Sequence, residues 1–323
     1  MKIGIRARCG NEEHLAYAAQ LGAQGASIWL PAVPGYTRQG YTEARPLIQM
    51  CRRFEVHGLA LSAAGLGTDV IRHHMQGQPE GQAQLDNICR TVMSMGEAGI
   101  GILIVDQRPT HFLGSAGGFA GFTCEPNGRG GARLLTFDGD MVPADDMPLG
   151  KISREHTWEC MRRFYGKVLP VAEKAGVKLA THPDDPPLLV FRGVEHAPHR
   201  LEGLARLVEE FDSPNNGLLF CIGTMAEAGE DVIEGLRRFA QRGQIFYVHY
   251  RNVRGTAPHY QEVFQDEGDV DMVAALRVLK DVGFDGWVVN DHEPMLDGDT
   301  RQWSPRSLAW QVGYIRGVLQ SVG

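Results

Sequence analysis

IFYVHY, residues 245–250, is a run of β-branched and aromatic side chains with the length of a strand rather than a helix. Similar runs stand on both sides of it. Upstream lie KIGIRA (2–7), GASIWL (25–30), LALSAAG (59–65), GILIVDQ (101–107), VKLATH (177–182) and GLLFCIG (217–223), and downstream lies GWVVND (286–291). Near-continuous apolar runs are what parallel strands covered on both faces look like, and parallel strands need crossovers. Residues 12–21, 83–98, 153–175, 201–211, 231–242 and 271–282 carry apolar positions at spacings of three and four, the pattern of crossover helices. Eight strands in this alternation predict an α/β fold, the (β/α)8 TIM barrel.

The glycines support that reading. Gly22, Gly99, Gly176, Gly243 and Gly283 each follow a helical segment and stand just before a strand, where left-handed helix caps belong. The rhythm breaks once, between the fourth and fifth strands. Residues 109–152 exceed what a crossover helix needs and are rich in Gly and Pro, yet too aromatic for a plain linker. They follow the C-terminal end of a strand, the face on which barrels carry their sites, so a lid-like active-site insertion is expected there. With that insertion set aside, the remainder has the length of one barrel, and residues 1–323 are expected to form a single domain.

Composition narrows the function. Of 323 residues, 32 are Lys or Arg and 39 are Asp or Glu, a net charge of −7, and the basic residues are scattered, so no footprint for nucleic acid is present. Every apolar run is far shorter than the roughly 20 residues that span a bilayer. MKIGIRARCG at the N-terminus lacks the apolar stretch of a secretory signal, and a cytoplasmic location is expected. The 6 cysteines show no C-x-x-C pair, so neither a zinc ribbon nor a disulfide framework is indicated. A small-molecule partner is the expectation.

His182, Cys221, His249 and Asp291 stand at the C-terminal ends of the last four strands, about one βα unit apart. In a barrel these ends converge on one mouth, so the four side chains are expected to share a divalent ion. Two imidazoles, a thiolate and a carboxylate suit Mn²⁺, Fe²⁺, Co²⁺ or Zn²⁺ and argue against Mg²⁺ or Ca²⁺, which favour all-oxygen shells. Asp184, Asp185, Arg251, Asn252 and His292 form a polar shell around them. One aspartate of the 184–185 pair is expected to position a substrate hydroxyl or a ligand imidazole. Arg251 offers a planar fork for a carboxylate, and His292 titrates near neutrality as a general acid or base should.

THPDDPP (181–187), FCIGT (220–224), VHYRNV (248–253), FQDEGDVDM (264–272) and NDHEP (290–294) together resemble the mannonate dehydratase family, metal-dependent members of the xylose-isomerase-like barrel superfamily. GRGGARLLTFDGD (128–140) is similar to the family's loop after strand four. The resemblance implies Mn²⁺ or Fe²⁺ held by His182, Cys221, His249 and Asp291. It implies loss of water from D-mannonate to give 2-keto-3-deoxy-D-gluconate, a step of glucuronate catabolism. His292 would then transfer one proton and Arg251 hold the sugar acid, with Tyr250 and Asp184 in reserve. The chain departs from the family at RQWSPRSLAW (301–310), which replaces a Gly-Tyr-Gly-Leu-Tyr-type segment, and at Glu293 and Pro294, where a glycine is common. Trp303 and Arg306 are therefore expected to shape the pocket.

Alternative readings are an isomerase or epimerase of the same superfamily, a dehydratase of another sugar acid, or a sugar-acid sensor. Cys221 argues for the dehydratase, since the isomerases and epimerases carry carboxylate-richer metal sets. Barrel enzymes of this type are often homo-oligomers, which is the expected state.

Overall fold

In the computed structural model of the protein, the structure describes residues 1–7, 11–67, 70–107, 120–300 and 304–323. Its strands, in chain order, are β1 (Lys2–Arg6), β2 (Gly25–Trp29), β3 (Ala60–Gly65), β4 (Ile102–Val105), β5 (Phe122–Glu125), β6 (Leu134–Asp138), β7 (Lys178–Thr181), β8 (Val190–Phe191), β9 (Val194–Glu195), β10 (Asn216–Cys221), β11 (Ile245–His249), β12 (Asn252–Thr256), β13 (His259–Val263) and β14 (Trp287–Val289). The eight runs read from the sequence are β1, β2, β3, β4, β7, β10, β11 and β14. They close a parallel barrel in the order β1-β14-β11-β10-β7-β4-β3-β2.

Two layers of apolar packing follow from strand alternation. Ile102, Ile104, Ala180, Leu219, Tyr247 and Val289 fill the inside of the barrel. Leu103, Val105, Leu179, Phe220 and Val248, one residue out of phase, join the larger cluster made with the helices. Inside, the indole of Trp287 is accommodated by Gly25 of β2. A Cβ there would stand 2.6 Å from the indole Cζ3 and 2.9 Å from the carbonyl oxygen of Ala60, so any other residue would push the strands apart.

The helix Arg154–Ala175 illustrates how the shell is built. Ser153 caps it by accepting from the His156 amide, and Trp158, Met161, Phe164, Tyr165, Val168 and Ala172 bury one face at helical spacing. The Tyr165 hydroxyl bonds Thr181 on β7. Gly176 ends the helix at φ 68°, and its amide closes onto Ala172 and Glu173 as a left-handed cap. Gly22, Gly99, Gly243 and Gly283 also have positive φ. Helices Ala44–Val56 and Pro305–Val322 complete the shell. No described helix is long and apolar enough to cross a membrane. Cys51, Cys89, Cys124, Cys160 and Cys221 are free thiols, while Cys9 lies outside the described residues.

The stretch expected to be a lid-like loop contains more order than its composition implies. Residues 109–119 lie outside the described residues, but β5 and β6 fall within the rest of it. They join the hairpin β12–β13, which lies outside the eight runs read from the sequence, in an antiparallel sheet of order β12-β13-β6-β5. Aromatic pairing holds this cap. Phe137 lies 4.8 Å from Phe122 and 5.2 Å from Tyr260, its register partner on β13.

His74 gives the shell a pH dependence. Its ring is buried, with Nε2 2.8 Å from the carbonyl oxygen of Cys160, and burial pushes its pKa down from 6.5 to about 4. Between those values the unfolded chain binds a proton that the folded chain refuses, so stability falls as pH falls, by about 3 kcal/mol at most. Urea midpoints measured from pH 7 to pH 4.5 are expected to decline less steeply for His74→Gln than for the wild type; parallel slopes would assign the decline to other groups.

Candidate active site

The period of two that fills the barrel with Leu219 and Tyr247 also turns Cys221 and His249 inward, one pleat further towards the C-terminal mouth. These two are register partners across β10 and β11. His182 follows the last residue of β7, past the inward-facing Ala180. The ligand atoms of His182, Cys221 and His249 all lie within 4.8 Å of one another, and all three residues are buried. Asp291 is two residues beyond Val289, the register partner of His249. Its Oδ2 lies 3.3 Å from His249 Nδ1 and 3.8 Å from Cys221 Sγ.

The chemistry of these atoms fits a divalent cation. His182 Nδ1 lies 2.6 Å from the Pro183 carbonyl oxygen, which can only accept, so Nδ1 carries the proton and Nε2 presents a lone pair. His249 Nδ1 is buried and makes no hydrogen bond, although Asp291 is near. Burial lowers the His249 pKa and pushes the Cys221 thiol up to about 12. A neutral imidazole is a ready ligand, and a thiol so placed is expected to release its proton only when a cation binds its sulfur. Against the burial that opposes it, His249, His292 and Arg6 hold the Asp291 carboxyl well below its ordinary range.

Beside this set lies a buried guanidinium. Arg251 is 1% exposed. Its Nε donates to Asp291 Oδ2 at 2.9 Å, Nη2 to Asp185 Oδ2 at 3.0 Å and to Thr224 Oγ1 at 3.1 Å, and Nη1 to Glu227, with Glu262 Oε1 3.5 Å from Nη1. Every nitrogen of the fork is thus taken by the protein. The sequence reading gave that fork to a substrate carboxylate, whereas the structure spends it on buried carboxylates. Arg6 instead stands at the mouth, its side chain 17% exposed, with Nη1 2.5 Å from Asp291 Oδ1 and the guanidinium 5.6 Å from the Trp29 ring.

His292 joins the cluster from the loop after β14. Its Nδ1 is 2.8 Å from Glu262 Oε1 and its Nε2 4.0 Å from Asp291 Oδ1. Although burial opposes it, those two carboxylates push its pKa up to about 9. Tyr250 is not brought to the site: one residue out of phase with His249, it packs in the outer layer and donates to the Met272 carbonyl at 2.7 Å. Asp184 accepts from the Ala197 amide at 3.0 Å, a bond that ties down its own loop, and Asp185 is the member of the pair that meets Arg251. Arg306 is exposed and bonds the Asp297 carbonyl, while Trp303 lies outside the described residues.

Arg6, Glu227 and Glu262 were missed in the sequence. Arg6 was within reach, since it stands at the end of β1 just as the metal-ligand candidates stand at the ends of their strands. Glu262 was not, because its hairpin had not been recognised as strands. Two of the sequence motifs turn out to be structural. Asn252 Nδ2 donates to the carbonyls of Gln265 and Val270, each at 2.9 Å, and Asp269 accepts from the Gly255 amide at 2.7 Å, fastening residues 264–271 to the hairpin. Asp271 caps the next helix.

The protein-family model UxuA, described as D-mannonate dehydratase, matches residues 148–323. Mannonate dehydratase 2 of Halalkalibacterium halodurans is 35% identical over 178 residues, 53% of this chain and 51% of that protein. Mannonate dehydratase of Streptococcus equi subsp. zooepidemicus is 28% identical over 279 residues, 78% of this chain and 75% of that protein. The chain thus spans about half the length of several curated relatives it matches. The crystal structure of mannonate dehydratase from Streptococcus suis serotype 2 superposes with a TM-score of 0.84 at 25% identity, covering 100% of this chain and 95% of that one. A xylose isomerase domain protein from Planctomyces limnophilus, at 15% identity and a TM-score of 0.63, shares the fold.

Three substitutions test the site. After loading with Mn²⁺ and desalting, elemental analysis of Cys221→Ser and His249→Ala is expected to show metal lost relative to the wild type; stoichiometric metal in both would refute the ligand set. Arg251→Met takes the guanidinium away from Asp185, Glu227 and Asp291 and is expected to cost about 3–5 kcal/mol in urea unfolding.

Proposed function

The chain belongs to the UxuA family of D-mannonate dehydratases, and on that premise we propose that its barrel mouth is a metal-dependent hydro-lyase site that converts D-mannonate to 2-keto-3-deoxy-D-gluconate and water. The convergence of His182, Cys221 and His249 within 4.8 Å at the strand ends carries this reading. Those residues, with Asp291 beside them, would hold the divalent ion; imidazole, sulfur and carboxylate suit Mn²⁺, Fe²⁺, Co²⁺ or Zn²⁺, and the resemblance to the family favours Mn²⁺ or Fe²⁺ among them. When bound, the ion supplies a Lewis acid for the substrate's carboxylate and 2-hydroxyl oxygens.

The chain's own groups account for the rest. The hydrogen on C2, beside a carboxylate, is a weak acid, and the 3-hydroxyl is a poor leaving group until protonated. His292 Nε2, on the side of Asp291 and with its side chain 23% exposed, is the proton-transfer group in this reading. Loss of the C2 proton and of the protonated 3-hydroxyl yields an enol and water, and the enol settles as the 2-keto acid. Arg6, rather than Arg251, is the cation offered to the sugar acid's carboxylate, its guanidinium braced by Trp29. Arg251 balances the buried carboxyl groups of Asp185, Glu227, Glu262 and Asp291. Cap strands β5, β6, β12 and β13 would limit water at the mouth, the role expected of a lid.

Purified protein loaded with Mn²⁺ and incubated with D-mannonate is expected to release a 2-keto-3-deoxy acid. His292→Asn should depress that turnover at least about a hundredfold while retaining metal. No product from D-mannonate, alongside interconversion of a keto sugar, would sink the reading in favour of an epimerase. Near-normal turnover by His292→Asn would remove His292 from the mechanism.

A further inference from the structure

We propose that Glu262, on the cap hairpin, is the positioning residue for His292, so that the cap sheet sets the proton-transfer group of the barrel. The proposal deepens the dehydratase reading above and rests on it. Glu262 Oε1 lies 2.8 Å from His292 Nδ1, and because a carboxylate oxygen only accepts, Nδ1 carries the proton in this contact. The other ring nitrogen, Nε2, is thereby turned to the side of Asp291, 4.0 Å from its Oδ1. An imidazole held in this way presents one defined nitrogen to the mouth; released, it has two tautomers and can rotate.

Glu262 is built to hold and not to react. Its side chain is 2% exposed, against 23% for His292, so it acts on substrate only through the imidazole. Its backbone is pinned on both sides, opposite Val253 on β12 and Leu135 on β6. Its second oxygen, Oε2, is buried and makes no hydrogen bond. Oε1 also lies 3.5 Å from Arg251 Nη1, so the buried guanidinium and the imidazole meet at one carboxylate oxygen. The strands β5 and β6, brought in by the long insertion, thus support the hairpin from which the site is oriented.

The test combines a substrate-free readout with a kinetic one. In ¹⁵N-histidine-labelled protein held at a pH above about 9, where the imidazole is neutral, the His292 ring signals, identified by their loss in His292→Asn, are expected to report a proton on Nδ1 in the wild type and a mixture of tautomers in Glu262→Ala. With D-mannonate, Glu262→Ala is expected to lower kcat by about 10- to 100-fold, the scale on which carboxylates that orient imidazoles act, with KM and metal content near wild type. Glu262→Gln keeps an acceptor oxygen for Nδ1 and is expected to recover most of the loss. Glu262→Asp, one methylene short, takes the place of the alanine variant if that fails to fold. Identical His292 ring signals in wild type and variant, a kcat within twofold of wild type, or equal impairment of the Ala and Gln variants overturns the proposal. Absence of any turnover of D-mannonate by the wild type overturns the substrate reading instead, and the ring signals alone then decide the role of Glu262.

Discussion

The ion-pair set around Arg251 is the interaction on which the mouth of the barrel depends. One buried guanidinium joins Asp185 from the loop after β7, Glu227 from the helix after β10, Glu262 from the cap hairpin and Asp291 from the end of β14. Elements far apart in sequence are thereby locked at one level. Burying so many charges is costly, and the set persists because each acid finds a cation or a strong donor. Burial pushes the Glu227 carboxyl up to about 8, and Asp291 keeps its charge beside Arg6, His249 and His292.

From that arrangement a division of labour follows. Inward positions at and just past the strand ends carry the metal-ligand candidates, and Arg251, two residues past His249, carries the balancing cation. The same alternation explains why Tyr250, between His249 and Arg251, belongs to the outer layer. A strand cannot point consecutive side chains to one face, so a residue adjacent to a ligand in sequence is a poor candidate for the site unless the strand has ended. His292 escapes this limit because it lies past β14, in a loop. The family motifs after β11 serve the same architecture differently, with Asn252, Asp269 and Asp271 fixing the chain that returns from the cap to the barrel wall.

The cap shows where sequence reading loses its grip. β5 and β6 are short, half-exposed and embedded in glycine-rich sequence, and β12–β13 alternates polar and apolar residues over only a few positions. None of these strands has a hydrophobic run long enough to announce itself. They exist because Phe122, Phe137 and Tyr260 meet across three strands, a long-range contact that no local pattern encodes.

The sequence by itself determined the barrel and the metal-ligand candidates. Parallel strands buried on both faces must be apolar throughout, and the side chains that end them must face one mouth, so both facts are written locally and repeat. Which way each polar residue near that mouth is spent was decided only in three dimensions. Arg251 and Arg6 are both arginines at strand ends, and nothing local separates them. Burial among four carboxylates turns the first into an internal counter-ion, while partial exposure beside Trp29 makes the second the cation at the opening. Glu262 gains its place beside His292 only once the cap sheet has formed, because its strand is held by pairing with residues more than a hundred positions earlier in the chain.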